Sequence, residues 1–105
     1  MKDLKIRTKE FSLRIIRMYS ALPKSTVGQV IGKQILRSGT SVGAHYREAS
    51  KARSTAEFVS KLGGAQQELK ETAYWLELLS ESETDELGKI LTTYIKNAKE
   101  TESDR

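Results

Sequence analysis

The sequence contains no cysteine, and it has one proline, one histidine and one tryptophan among 105 residues. Without cysteine the chain has no disulfide, no thiolate nucleophile and no cysteine-based zinc site, which fits a reducing cytosol. No apolar run approaches the roughly 20 residues of a membrane-spanning helix, and the first residues lack the apolar region of a signal peptide. We therefore expect a cytoplasmic protein with no membrane partner.

Acidic residues are scarce in the first half of the chain. Residues 1–53 hold twelve Lys or Arg and three Asp or Glu, whereas residues 54–105 hold six and eleven. The net charge of +4 is therefore the sum of +9 in the first half of the chain and −5 in the second half. Such asymmetry indicates either a surface for nucleic acid or two halves that attract each other.

Apolar residues recur at helical spacing in four segments, and none of the segments alternates as a strand does. The stripes are Leu4, Phe11, Ile15, Met18 and Leu22 in the first, Val27, Ile31, Ile35, Val42 and Ala49 in the second, Phe58, Leu62, Ala65, Leu69, Thr72, Leu76 and Leu79 in the third, and Leu87, Ile90, Leu91, Tyr94, Ile95 and Ala98 in the fourth. We predict four helices, over about residues 2–22, 25–51, 54–80 and 84–99. Leu22-Pro23 ends the first helix, and Ser54 with Glu57 forms a capping box at the start of the third. Short connections favour antiparallel packing of consecutive helices. The expected fold is all-α, a single up-down-up-down four-helix bundle domain over residues 1–105.

Further apolar residues lie on faces that point away from the predicted core. On the first predicted helix they are Ile6, Leu13 and Ile16, and on the third they are Trp75 and Leu78. One four-helix core cannot bury both faces of both helices, and exposed apolar patches commonly mark interfaces. Scattered surface residues are the alternative, but we favour an oligomer interface.

Basic side chains cluster in particular sectors of the first two predicted helices. The candidate phosphate contacts are Arg14, Arg17, Lys33, Arg37, Arg47 and Lys51. On the third helix, Glu57, Glu68 and Glu71 share the outward sector that contains Trp75. The basic residues either bind phosphates, with an affinity that falls with salt, or meet the acidic face of a neighbouring subunit in a ring. A solvated face with i,i+4 ion pairs is the third alternative.

One arrangement imitates a catalytic triad. Ser41, His45 and Glu48 are spaced by four and three residues, so they share one helical face. A serine inside a helix has no free amides nearby to stabilise an oxyanion, which argues against catalysis. We expect instead a largely buried His45 hydrogen-bonded to these neighbours, and a helix-packing role shared with Ser38. A lone histidine without cysteines does not predict a metal site, and no motif indicates a cofactor.

The second and third predicted helices resemble a known family. The stretch 34–49, which reads QILRSGTSVGAHYREA, and the Tyr74–Leu76 segment within 61–79 are similar to the signature of the bacterial four-helix bundle family. This family is also called the 23S rRNA intervening-sequence protein family, and the resemblance covers nearly the whole chain. It implies an antiparallel four-helix bundle that assembles as a homopentameric ring and has no known enzymatic activity.

The resemblance also implies candidate partners. Some family members are encoded within insertions in 23S rRNA genes, and others are retroelement accessory proteins that engage nucleic acid and a reverse transcriptase. Two positions depart from the family pattern: His45 stands where Asn is common, and Gly63-Gly64 stands where longer residues are usual. Because an amide cannot act as the base of a triad, the first departure weakens the catalytic interpretation further.

From these observations we predict a non-enzymatic, ring-forming helical scaffold whose basic surface binds RNA or DNA. The alternative is a protein-interaction scaffold, or an accessory subunit such as one for a reverse transcriptase. In that alternative the charges serve subunit contacts rather than nucleic acid.

Overall fold

Three α-helices follow one another in the computed structural model, which describes residues 3–82. They are α1 at Leu4–Ala21, α2 at Thr26–Ala49 and α3 at Thr55–Ser82. Each bound lies within two residues of its prediction, and this part of the chain contains no strand, so the all-helical class is confirmed. The predicted fourth helix, 84–99, lies outside the described residues. None of α1–α3 combines the length and apolarity that crossing a membrane requires.

Serine side chains cap the N-termini of α2 and α3. The Ser25 Oγ accepts a hydrogen bond from the Gly28 N–H at 3.0 Å, and the Ser54 Oγ accepts from the Glu57 N–H at 3.1 Å. These bonds satisfy first-turn amides that have no carbonyl partner within the helix. The return bond of the predicted capping box is shifted by one residue, because Glu57 Oε2 accepts from the Arg53 N–H at 3.4 Å.

Helix α2 is the central element, since α1 and α3 both pack against it. Buried glycines on α2 lie against α1: a Cβ at Gly39 would stand 2.8 Å from Ile15 Cγ1, and one at Gly32 would stand 2.8 Å from Leu22 Cδ1. Real Cβ atoms do not approach other atoms this closely. The glycines therefore allow the backbones of α1 and α2 to approach more closely than larger residues would permit.

The core is built from apolar side chains of all three helices. Its buried members are Phe11, Ile15, Met18, Leu22, Ile35, Val42, Ala65, Leu69, Leu76 and Leu79. All of them belong to the predicted helical stripes, so the direction of each amphipathic helix follows from sequence periodicity.

Two members of the predicted stripes in the described residues are exposed. Val27 is 46% exposed and Phe58 is 39% exposed. Gly32 is level with the last residues of α1, so Val27 lies beyond the end of that helix. Gly64 of α3 faces the last turns of α2. Phe58 comes before Gly64 in α3, so it lies beyond the end of α2. Periodicity gives the direction of a side chain, whereas burial also requires a partner helix at the same level.

Candidate functional site

Arg37 is the centre of a polar network between α2 and α3. Its Nη1 lies 3.3 Å from Glu68 Oε2, and its Nη2 is paired with Glu71 Oε2. Its Nε donates to Gln34 Oε1 at 3.1 Å, and Trp75 Nε1 donates to Glu71 Oε2 at 2.8 Å. The sequence placed Arg37 among the phosphate contacts and the two glutamates on an opposing acidic face. In the structure Arg37 pairs with both glutamates of its own chain.

The partners of Arg37 set it apart from the other predicted phosphate contacts. Its guanidinium is half-exposed, so the two ion pairs are partly screened by water and each is worth little stability. A guanidinium held by two carboxylates must nevertheless leave them before it binds a phosphate in the same bidentate manner. Arg37 therefore links α2 to α3 in the folded chain and is not free to bind a phosphate.

The other five predicted phosphate contacts differ from Arg37 in their surroundings. They are Arg14, Arg17, Lys33, Arg47 and Lys51, of which Arg14 is half-buried and the rest are exposed. Within residues 3–82 none of the five forms an ion pair. Their charge is thus directed to solvent.

The predicted interface residues divide into an open set on α1 and a half-buried set on α3. The α1 patch consists of Ile6, Leu13 and Ile16, with exposed fractions between 41% and 50%. Trp75 and Leu78 are half-buried, and Trp75 packs against the core. The exposed ring of Tyr74 lies 5.6 Å from the Trp75 ring. Tyr74 is therefore the more open aromatic residue on α3.

Ser41, His45 and Glu48 do not form a triad. The Ser41 Oγ donates to the Arg37 carbonyl at 2.7 Å, one turn back along α2. Among the described residues His45 Nδ1 is buried without a hydrogen-bond partner, and it lies 3.9 Å from Glu48 Oε2, which is itself 3.5 Å from Lys61 Nζ. The expectation of a largely buried, hydrogen-bonded histidine is therefore wrong. The Ser41 hydroxyl is already satisfied by its own helix, and the His45 side chain is 35% exposed.

The ring of His45 packs over Gly64 of α3. A Cβ at Gly64 would lie 3.0 Å from His45 Nδ1 and 3.2 Å from His45 Cε1, whereas in the described part of the chain a Cβ at Gly63 would meet nothing within 4 Å. The two departures from the family pattern are thus in contact. Sequence reasoning identified both positions but had no signal that joins them, because the register between α2 and α3 is not encoded in periodicity.

Ser38 and Thr72 form a buried polar contact between α2 and α3. Their hydroxyl oxygens are 2.7 Å apart, and both residues are inaccessible to solvent. Thr72 Oγ1 also donates to the Glu68 carbonyl at 2.7 Å. A hydroxyl pair of this kind satisfies its own polar atoms within the core, so it fixes the register of the two helices without leaving an unpaired group.

A shallow charged cleft of about 390 Å³ lies where α2 passes into α3. Its lining residues are Glu48, Lys51, Arg53, Glu57 and Lys61. Lys51 was predicted as a phosphate contact, but Arg53 and Lys61 were missed because one lies in a turn and the other on the acidic helix. In the part of the chain that the structure describes, no three His, Cys, Asp or Glu side chains are grouped to hold a metal.

These features define a small all-helical protein with close-packed helices and a surface rich in unpaired cations. The chain belongs to the 23S rRNA-intervening sequence protein family, whose model matches residues 2–101. It is similar to the crystal structure of a protein of unknown function from the S23 ribosomal protein family of Bacteroides thetaiotaomicron. That similarity has a TM-score of 0.75 and 42% identity, and it covers 91% of each chain. A comparison with curated proteins found no match.

Proposed function

We propose that this chain is a non-enzymatic scaffold that assembles into a ring and binds nucleic acid through its basic surface. One observation carries the proposal: five of the six predicted phosphate contacts form no ion pair within residues 3–82. Cations that face solvent attract a polyanion, because binding to phosphates releases the counterions condensed on the nucleic acid. The resemblance to homopentameric family members supports five copies in the ring.

The proposed fold is a complete four-helix bundle in which a helix over about 84–99 fills the fourth corner. The Cα atoms of α1 and α3 nowhere approach within 8 Å, although both helices pack on α2. This is the arrangement of diagonal helices in a bundle. Between them lies an apolar cavity of about 30 Å³, whose lining includes Thr8, Val42 and Leu69.

The proposed ring interface includes the α1 patch of Ile6, Leu13 and Ile16. Each of these aliphatic side chains is more than two-fifths exposed, and burial of apolar area yields about 25 cal/mol per Å². The same face of α1 carries exposed Lys9, whereas the exposed residues of α3 include Glu77 and Glu81. A head-to-tail contact between these two faces would join opposite charges, and such a contact closes into a ring when the rotation permits.

The second candidate is a protein-interaction scaffold or an accessory subunit, for example one that serves a reverse transcriptase. The pairing of Arg37 with Glu68 and Glu71 favours it, because one predicted phosphate contact already serves a protein contact. In this case the remaining cations pair with acidic side chains of a neighbouring subunit or of the partner.

Light-scattering mass, followed by titration with labelled RNA and DNA at two salt concentrations, tests the proposal. We expect a multiple of the monomer mass and an affinity that falls steeply as salt rises. A monomeric mass at micromolar protein would contradict the ring. An oligomer that binds neither nucleic acid at low salt would contradict the nucleic-acid function and favour the protein-interaction scaffold.

A further inference from the structure

The positive charge of the described residues is concentrated at one end of the helices. The contacts Gly43–Thr8 and Gly64–His45 bring the start of α1, the end of α2 and the start of α3 to the same level. We call this level, residues 3–9 and 44–64, the turn end. It holds seven Lys or Arg against three Asp or Glu, a net charge of +4.

The rest of the described chain has almost no net charge. The middle level, residues 10–16, 37–43 and 65–73, holds three Lys or Arg and three Asp or Glu. The opposite end, residues 17–36 and 74–82, holds three and two, a net charge of +1. The basic stripe predicted from helical wheels is therefore neutralised at its centre, where Arg37 meets its two glutamates.

Two cations of the turn end are free of the acidic side chains beside them. Glu48 lies 3.5 Å from Lys61, and Glu57 accepts a hydrogen bond from the backbone of Arg53. Lys51 and the Arg53 guanidinium border the same cleft, both residues are exposed, and neither forms an ion pair within residues 3–82. A phosphate that enters the cleft thus meets two cations that form no ion pair within residues 3–82.

We propose that the turn end is the nucleic-acid contact, with Lys51 and Arg53 binding backbone phosphates at the rim of the cleft. The inference rests on the proposed nucleic-acid function and locates it. A polyanion is the fitting ligand because the cations come from α1, α2, the turn and α3, and so cover more surface than a single phosphate group. Contacts to the phosphate backbone give affinity without sequence preference.

The test compares two double variants that each remove two positive charges. Lys51→Gln with Arg53→Gln neutralises the turn end. Lys24→Gln with Lys70→Gln is the matched control, because both lysines lie outside the turn end and outside the predicted phosphate contacts, and all four residues are exposed. The probe is a fluorescein-labelled single-stranded RNA, and its anisotropy is measured over a series of salt concentrations, with circular dichroism to verify folding.

We expect the turn-end variant to bind about tenfold more weakly at low salt, and its log–log salt slope to shrink by about 1.4, or about 0.7 per lost phosphate contact. The control should stay close to the wild type in both quantities. Equal losses in the two variants, or a larger loss in the control, would overturn the turn-end assignment while the nucleic-acid function stands. A wild-type chain that does not bind the RNA would overturn both.

Discussion

At the scale of single residues, two adjacent glycines in α3 have opposite surroundings. A glycine inside a helix costs about 1 kcal/mol relative to alanine, so a pair of them needs a physical reason. Gly64 has one, because the His45 ring occupies the space where its Cβ would stand. Gly63 has none in the described structure, since a Cβ there would meet nothing within 4 Å.

This difference predicts opposite effects for two neighbouring substitutions. We expect Gly63→Ala to raise the free energy of unfolding by about 0.5–1 kcal/mol, through higher helix propensity. Gly64→Ala gains the same propensity, but its Cβ would lie 3.0 Å from His45 Nδ1, so the net change should be near zero or destabilising. Urea unfolding of the two variants, followed by circular dichroism, measures the difference.

The same comparison in a His45→Asn background provides the control. Because asparagine lacks the ring, Gly64→Ala should then become nearly as favourable as Gly63→Ala. If the gap between the two glycine variants is unchanged by His45→Asn, the ring does not explain the presence of Gly64. This would contradict the contact between the two departures from the family pattern.

At the scale of the elements, α2 presents two chemically different faces to its neighbours. Toward α1 it presents glycines that allow close backbone approach, and toward α3 it presents Ser38 and the Arg37 network. The first face permits close packing of the backbones, and the second forms hydrogen bonds and ion pairs with α3. The register of α2 against each neighbour is therefore fixed by separate contacts.

Gly39→Ala should disturb the α1–α2 contact specifically. Its Cβ would stand 2.8 Å from Ile15 Cγ1, so the Ile15 side chain or the two helices must shift. Overpacking of this kind costs about 1–3 kcal/mol, which exceeds the gain of about 1 kcal/mol in helix propensity. We expect a lower urea midpoint for Gly39→Ala and a smaller change for Gly43→Ala, where the nearest atom, Thr8 Oγ1, lies at 3.3 Å.

Truncation of the facing side chain tests whether this loss comes from the clash. Ile15→Ala alone leaves a cavity and destabilises the chain by about 2–5 kcal/mol. Combined with Gly39→Ala it should cost less than the sum of the two single variants, because the new methyl group enters the space that Ile15 leaves. Additive costs would show that Gly39 has another role.

The elements also show how far sequence reasoning reaches. Ser25 and Ser54 made the starts of α2 and α3 predictable, because a short polar side chain can satisfy first-turn amides by itself. The pairing of Arg37 with Glu68, and of His45 with Gly64, was not predictable. Each depends on the level at which α2 and α3 meet, and periodicity gives only the rotation of each helix about its own axis.

At the scale of the whole molecule, the charges and the apolar patch need different explanations. The net charge of +4 first divided into a basic and an acidic half of the sequence. Within residues 3–82, part of that asymmetry is cancelled by pairing between α2 and α3, and the remaining positive charge lies largely at the turn end. The α1 patch of Ile6, Leu13 and Ile16 is unaffected by this pairing and stays open.

Leu13→Glu should therefore reduce the mass of the assembly in solution. Burying a carboxylate in an apolar interface is strongly unfavourable, so the proposed ring should dissociate while each chain stays folded. Val30→Glu is the matched control, because Val30 on α2 is 59% exposed, against 41% for Leu13, and receives the same charge. Light scattering at equal protein concentration should show a lower mass for Leu13→Glu alone. A mass unchanged in both variants, or lowered equally in both, would remove the α1 patch from the interface.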